Sequence, residues 1–251
     1  MGLFQDKVAL VTGGGSGIGR AVAIAFAREK ARVVIASRRV IQGEETVSLI
    51  RERGGEAIFV KTDVSDSAQI EAMFTQTIDA FGRLDCAFNN AGIMGPEMRM
   101  HQYTENDWDD VITTNLKGVW LCMKYEIQYM LAHRGGTIVN NSSAAGVRSW
   151  PRHSAYVVSK HGIIGLTRNT AREYAKDGIR VNAVCPGWID TSMLDDLFDG
   201  VPERRNKISI SQPMERMGTP EEVSEAVLWL CSEKSSYVNG ECLIIDGGQT
   251  T

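Results

Sequence analysis

The sequence predicts an α/β fold, a doubly wound parallel sheet of seven strands with helices on both faces. Three observations carry that expectation. Seven short apolar runs, most of them rich in Val and Ile, are separated by longer stretches with helical periodicity. The first run opens directly into a glycine-rich turn and then a helix, in "ALVTGGGSGIGRAVAIAF". No linker or internal repeat breaks the alternation, so residues 1–251 are expected to form one domain.

The strands are expected at Val8–Val11, Val33–Ala36, Ala57–Val60, Leu84–Phe88, Thr137–Asn140, Arg180–Val184 and Glu241–Ile245. Short, nearly continuous apolar runs suit strands buried on both faces, and parallel pairs need right-handed crossovers. In the first helix Ile18, Ala21, Val22, Ala25 and Phe26 fall on one face. Thr104 with Asp107 has the form of a capping box, with Asp in place of Glu. Thr219 with Glu222 is a cleaner one, and Pro220 stands at the first helical position. Residues 188–212 differ: acids, Gly200, Pro202 and a mixed helical pattern suggest a lid beside a site.

A hydrophobic content of 43% supports a real core, and 23% charged residues argue against disorder. The net charge is −4 without a concentrated basic block, which argues against a nucleic-acid partner. No apolar run approaches the roughly 20 residues that cross a bilayer. The start, "MGLFQDKVALVTGGG", lacks the layout of a secretory signal, and Asp6 stands where myristoylation needs Ser or Thr. The expectation is a soluble, cytoplasmic protein with no membrane partner. Cys86, Cys122, Cys185, Cys231 and Cys242 form no CxxC pair and read as buried, reduced thiols. The four histidines have no metal-ligand spacing, so no metal site is expected.

A glycine-rich turn between strand and helix exposes backbone N–H groups where a phosphate can sit. A mononucleotide P-loop fails on chemistry, because Arg20 and Ala21 stand where Lys and Ser/Thr are required. The G-x-G-x-x-G fingerprint also fails in every register. What remains is Thr12-Gly13-x-x-x-Gly17-x-Gly19, with Gly13, Gly15, Ser16, Gly17, Ile18 and Gly19 as the candidate cradle.

The second strand ends in "VVIASRR", and Ser37 lies eighteen positions after Gly19. A carboxylate is expected near here to hold a ribose 2′-hydroxyl. It would repel a 2′-phosphate; Ser37 removes that repulsion. Arg38 can make bidentate bonds to phosphate oxygens and stack on adenine. NADP(H) is therefore favoured, with NAD(H) as the alternative.

Tyr156 and Lys160 are four apart and share one helix face. A nearby ammonium favours the phenolate, so the tyrosine can act as general acid for carbonyl reduction or base for alcohol oxidation. Ser143 ends the run "TIVNNSS", thirteen positions before the tyrosine. Its hydroxyl can donate to a carbonyl oxygen as charge develops, and Ser142 is its competitor. No G-x-S-x-G elbow is present.

"TGGGSGIG" at 12–19, "NNAG" at 89–92, "SS" at 142–143, "YVVSK" at 156–160 and "PG" at 186–187 occur in this order. The chain thus resembles the compact branch of the short-chain dehydrogenase/reductase family, from the glycine turn to the terminal "VNGECLIIDGG". The resemblance implies a Rossmann-like sheet and favours Ser143 over Ser142. It assigns Lys160 to the nicotinamide ribose as well as to the tyrosine. Asn115, in "TTNLKG", would hold a water linking the lysine to solvent. Asn90, Ala91 and Gly92 would lie beside the adenine-linked ribose, and Asp63 and Val64 at the adenine edge. Pro186, Gly187, Ile189 and Thr191 would hold the nicotinamide amide and the diphosphate. Relatives that prefer the phosphorylated cofactor often carry a base in the glycine loop, where this chain has Ser16. A homotetramer is implied on the same ground.

Pocket walls are expected from 93–104, 144–155 and 188–217, which carry Met94, Met98, Met100, Trp150, Trp188, Met193, Leu197, Phe198, Met214 and Met217. Soft apolar walls suit a mid-sized, mainly apolar ketone or secondary alcohol as the small-molecule substrate. Arg148, Arg152 and His153 stand ready for an anion or for solvent. One rival is a 3-oxoacyl-[acyl-carrier-protein] reductase, for which Arg134, Arg168 and Arg172 speak and Asp177 speaks against. A sugar or polyol dehydrogenase is a second rival. A non-catalytic nucleotide sensor is disfavoured because all four catalytic positions are filled.

Overall fold

The computed structural model describes residues 2–133, 135–197 and 201–251. Seven strands form one sheet: β1 (Val8–Thr12), β2 (Arg32–Ser37), β3 (Glu56–Lys61), β4 (Cys86–Asn89), β5 (Gly136–Asn141), β6 (Ile179–Pro186) and β7 (Cys242–Ile245). Their order is β3-β2-β1-β4-β5-β6-β7, and every pairing is parallel. The order reverses between β1 and β4, and it is at such a reversal that crossovers part and leave a crevice at the strands' carboxyl ends.

The helices are α1 (Gly17–Arg28), α2 (Val40–Glu52), α3 (Ser67–Phe81), α4 (Glu105–Ile112), α5 (Gly118–Ala132), α6 (Ser154–Glu173), α7 (Ser192–Leu197), α8 (Pro202–Ser211) and α9 (Pro220–Cys231). Side chains alternate across each strand, so β1 sends Ala9 and Val11 to one core and Val8 and Leu10 to the other. The first core adds Phe26 of α1, Val47 of α2 and Val227 of α9. The second adds Met73 of α3, Met123 of α5 and Ile163 of α6. Both expected capping boxes form, Thr104 with Asp107 and Thr219 with Glu222. All five cysteines are buried.

Strand four begins at Cys86, two residues later than the apolar run suggested. Leu84 is buried, but Asp85 turns its carboxylate onto the Val8 N–H at 2.9 Å and onto Arg83 at 2.6 and 2.8 Å. The Asp85 main chain still bonds both neighbours, its N–H donating to the Val8 carbonyl at 3.0 Å and its carbonyl accepting from the Thr137 N–H at 2.9 Å. Strand six runs on to Pro186, which stands at its last position, where the lack of an N–H is tolerated.

Under the second core lies a polar network with no warning in the hydropathy pattern. Glu126 of α5 is fully buried, and the Asn89 side-chain amide donates to it at 3.0 Å. The same amide donates to Asn140 at 3.1 Å, and Asn140 donates to Thr167 at 2.9 Å. Burial pushes the Glu126 carboxyl up to about 8. A carboxyl raised in the folded state binds more protons folded than unfolded. Its contribution is therefore most favourable below the unfolded pKa and is lost as pH rises through the folded one. We expect urea stability to fall between about pH 5 and about pH 8, by up to roughly 1.4 kcal/mol per pH unit from this group, and Glu126→Gln to flatten that fall. An identical pH profile in the variant would show that Glu126 is ionised throughout.

Candidate active site

The carboxyl ends of the strands open into one cavity of about 800 Å³. One end is the glycine turn between β1 and α1. Gly13 and Gly17 have φ of +66° and +52°, the left-handed region that suits glycine. Gly13, Gly15, Ser16, Gly17 and Ile18 line the cavity. Gly19 does not: it is buried behind the turn, where a Cβ would come 2.3 Å from the Gly13 carbonyl oxygen. Its part is to let the turn close on itself.

At the end of β2, Ser37, Arg38 and Arg39 all face the cavity. The Arg39 guanidinium donates to the Ser16 hydroxyl at 2.7 Å, so a cation spans to the glycine turn itself. Arg38 pairs with Asp63 at 3.8 Å and is mostly exposed. Asp63 and Val64 line the same wall. Asp63 accepts from the Ser65 N–H and hydroxyl, while the cap of α3 is Asp66, which accepts from Ala68 and Gln69.

Side-chain hydrogen bonds tie three strand ends together at the middle of the cavity. The Thr12 hydroxyl oxygen accepts from the Asn90 and Ala91 N–H groups at 2.9 and 3.1 Å. The Asn90 amide donates to the Thr12 carbonyl at 3.0 Å, and the Asn141 amide donates to Asn90 at 2.9 Å. Asn90, Ala91, Gly92 and Asn141 line the cavity.

The far end is built on α6. Tyr156 and Lys160 lie one turn apart, both buried and both on the cavity wall. The Lys160 Nζ donates to the Asn141 carbonyl at 2.7 Å and stands 5.4 Å from the Tyr156 ring centroid. Burial pushes the Tyr156 phenol up, and hydrogen bonding from Ser143 counters it. Burial also pulls Lys160 down to about 8. The Ser142 hydroxyl is buried and donates to the Lys160 carbonyl at 2.8 Å; Ser143 is only half-buried.

Asn115 lies in one π-helical turn, Thr113–Lys117, between α4 and α5. Its side chain is fully buried and is taken up by Ile93 and Ser159: Oδ1 accepts from the Ile93 N–H at 2.8 Å, and Nδ2 donates to Ile93 O at 2.8 Å and Ser159 at 3.2 Å. The structure does not bring this amide to Lys160. Pro186, Gly187, Ile189 and Thr191 line the wall opposite the glycine turn, and Thr191 is close enough to Gly17 that a Cβ there would meet it at 3.2 Å.

The apolar wall is smaller than the sequence suggested. Met94, Trp150, Trp188 and Met193 line the cavity, joined by Leu194. Met98 and Met100 do not, and Met100 is exposed. Met217 is buried with Leu194, and Met214 lies on a separate, smaller cavity. Arg148 lines the main cavity and donates to the Gln249 carbonyl at 2.9 Å. Arg152 pairs with Glu97 at 3.0 Å, and His153 is buried. Phe198, Arg134 and the Leu197 side chain lie outside the described residues. Arg168 and Arg172 are exposed on α6, away from the cavity lining.

Sequence reasoning missed Arg39, Asn141, Gln249 and Thr250 on the cavity wall. The doubled arginine of "SRR" was a usable signal for the first; a strand-end Asn and a chain terminus carry none. Among the described residues no group of His, Cys, Asp and Glu is arranged to hold a metal ion, and no helix is long and apolar enough to cross a membrane.

The residues present fit a dinucleotide. The turn offers bare backbone along the cavity, and at Gly15 a Cβ would stand 3.1 Å from the Ser37 hydroxyl. The comparisons agree. Residues 13–250 match the family described as Enoyl-(Acyl carrier protein) reductase. Over 250 residues the chain is 41% identical to an A-factor type gamma-butyrolactone 1′-reductase (1S-forming) of Streptomyces virginiae, covering 99% of this chain and 97% of that one. The crystal structure of levodione reductase is similar with a TM-score of 0.95 and 38% identity, over 98% of each chain. A point variant of actinorhodin polyketide ketoreductase, solved with NADPH, gives a TM-score of 0.95 and 33% identity over 98% of this chain and 97% of that one. The chain belongs to the short-chain dehydrogenase/reductase family, as a NAD(P)-dependent oxidoreductase that interconverts ketones and secondary alcohols.

Proposed function

We propose that the protein reduces mid-sized, mainly apolar ketones, or oxidises the matching alcohols, with NADPH as the favoured cofactor and Tyr156 as the general acid or base. The grouping of Ser143, Tyr156 and Lys160 at the apolar end of the cavity carries this reading. The nicotinamide, when bound, supplies or takes up the hydride. Tyr156, kept protonated by its burial, gives its proton to the carbonyl oxygen. Ser143 donates to the same oxygen as negative charge builds. Ser142 is not the donor in this scheme, because its hydroxyl is bound to the α6 backbone.

Lys160 holds the nicotinamide ribose and, as an ammonium, favours the phenolate that remains after proton transfer. It is fixed by the Asn141 carbonyl. Asn115 holds a water that links Lys160 to solvent, beside an amide engaged by Ile93 and Ser159. Pro186, Gly187, Ile189 and Thr191 hold the nicotinamide amide and the diphosphate. Asp63 and Val64 hold the adenine edge, and Asn90, Ala91 and Gly92 the ribose beside it. The segment 188–212, with α7 and α8, acts as the lid of a single domain. We further propose a cytoplasmic homotetramer; Trp120 and Leu131 on α5 and Val158 on α6 leave apolar surface exposed for assembly.

For the cofactor, Ser37 leaves room for a 2′-phosphate, and Arg38 and Arg39 flank it. Arg39 supplies from β2 the cation that Ser16 does not supply from the turn. We expect Arg38→Asp and Arg39→Asp each to raise the KM for NADPH about tenfold or more, with little change for NADH. Equal rises for both cofactors would sink the phosphate assignment. Tyr156→Phe should lower kcat roughly 10²–10⁴-fold while NADPH still binds, as followed by nucleotide fluorescence. Turnover retained in that variant would remove Tyr156 from its role.

A further inference from the structure

We propose that Trp150 and Trp188 form an aromatic corner beside Tyr156 that selects ketones bearing a flat, unsaturated ring. The proposal rests on Tyr156 being the proton donor, and it names the substrate class that the same site takes. Trp150 stands between the two other rings. Its centroid is 5.9 Å from that of Tyr156 at an interplanar angle of 82°, and 5.3 Å from that of Trp188 at 81°. Both indoles line the cavity. The two indole planes stand at 81°, so a flat ring lying parallel to one is nearly perpendicular to the other, and stacked and edge-on contact, the two arrangements that aromatic pairs prefer, can be made together. A puckered ring or an open chain can use neither face fully.

The corner is held rigid from outside the cavity. His153, buried at 3% exposure, stacks on Trp150 with centroids 4.0 Å apart and planes 14° apart. Its Nδ1 lies 3.2 Å from the Pro151 carbonyl. Between them Arg152 has φ of +72°, a left-handed conformation that a side chain disfavours. It is kept there by the Glu97 ion pair at 3.0 Å and by the Met98 N–H donating to its carbonyl at 2.9 Å. Tyr103 bridges this loop to the segment facing it, its hydroxyl donating to the Pro96 carbonyl at 2.7 Å and reaching the Arg152 carbonyl at 3.4 Å. Strain that surrounding contacts over-determine is common at ligand-clamping sites. Here it fixes the plane of the indole nearest the proton donor.

The test compares three ten-carbon ketones with the intact enzyme and NADPH: 2-tetralone, whose fused benzo ring is flat and aromatic, 2-decalone, whose two rings are both puckered, and 2-decanone, which is open. The wild type should prefer 2-tetralone over the other two by about tenfold in kcat/KM. Trp188→Leu and Trp150→Leu should lose most of that preference, mainly through KM for 2-tetralone. His153→Phe, which keeps the stack, should retain it, and His153→Ala should not. Turnover by the wild type without preference among the three overturns the aromatic corner and leaves the oxidoreductase reading standing. So does an equal loss on all three in the tryptophan variants. No turnover of any of the three with either cofactor overturns the apolar-ketone reading itself, and the corner with it. The wild-type ranking decides the matter even where a tryptophan variant does not fold.

Discussion

The structure depends on one tie at the carboxyl edge of the sheet. Thr12 ends β1, Asn90 follows β4 and Asn141 ends β5, and their side chains bond one another across the point where the strand order reverses. Parallel strands splay their loops outward at such a reversal, and nothing in the ladder itself holds them in register beyond the last backbone pair. Each of these bonds stabilises by about 1 kcal/mol net, but a partner left buried and unpaired costs about 1–3. The tie is therefore a matter of geometry more than of stability. It sets the start of the glycine turn on one side. On the other it sets the Asn141 carbonyl, which fixes Lys160. Both ends of the cavity are located by the same few amides.

That arrangement also shows how the site biases its own protons. Tyr156 and Lys160 are both buried, and burial favours the neutral form of each: the phenol is pushed up and the ammonium pulled down to about 8. At neutral pH the phenol keeps its proton and the lysine is still largely charged. This is the protonation state that a proton donor to a carbonyl needs. Running the reaction toward the ketone asks the phenol to lose its proton in a desolvated place. Ser143 is the neighbour whose hydrogen bond counters the burial, and Lys160 stands 5.4 Å from the ring centroid, both from fixed positions, one on the turn after β5 and one a helical turn along α6.

The sheet was legible because its strands are buried on both faces, which leaves short, unbroken apolar runs such as Val33–Ala36. That Tyr156 and Lys160 share one cavity wall was legible because a spacing of four on one helix is local. What escaped was long-range or polar. Just ahead of β4, the Asp85 carboxylate takes up the Val8 N–H, 77 positions away in sequence. The burial of Glu126 under Asn89, which also bonds Asn140, rests on partners 37 and 51 positions apart in sequence, which no local pattern shows. Arg39 was not assigned to the site, and its contact to Ser16, 23 positions away in sequence, is long-range. Met98, Met100 and Met214 were placed on the wall by composition alone. Methionine fits core, surface and pocket equally, so its presence does not say which.

The cavity's two ends answer to different constraints, and this explains why one could be read and the other not. The nucleotide end is made by backbone: a turn that only glycine can close, and strand ends whose register the tie fixes. Residue type there follows from geometry, so the type betrays the geometry. The substrate end is made by side chains on loops and on α7, where many types would fold. Trp150 is the exception, because it is pinned between His153 and Tyr156 on the helix that carries the chemistry. Its contact with the tyrosine is edge to face alone, so a change at that indole bears first on the wall that meets the substrate.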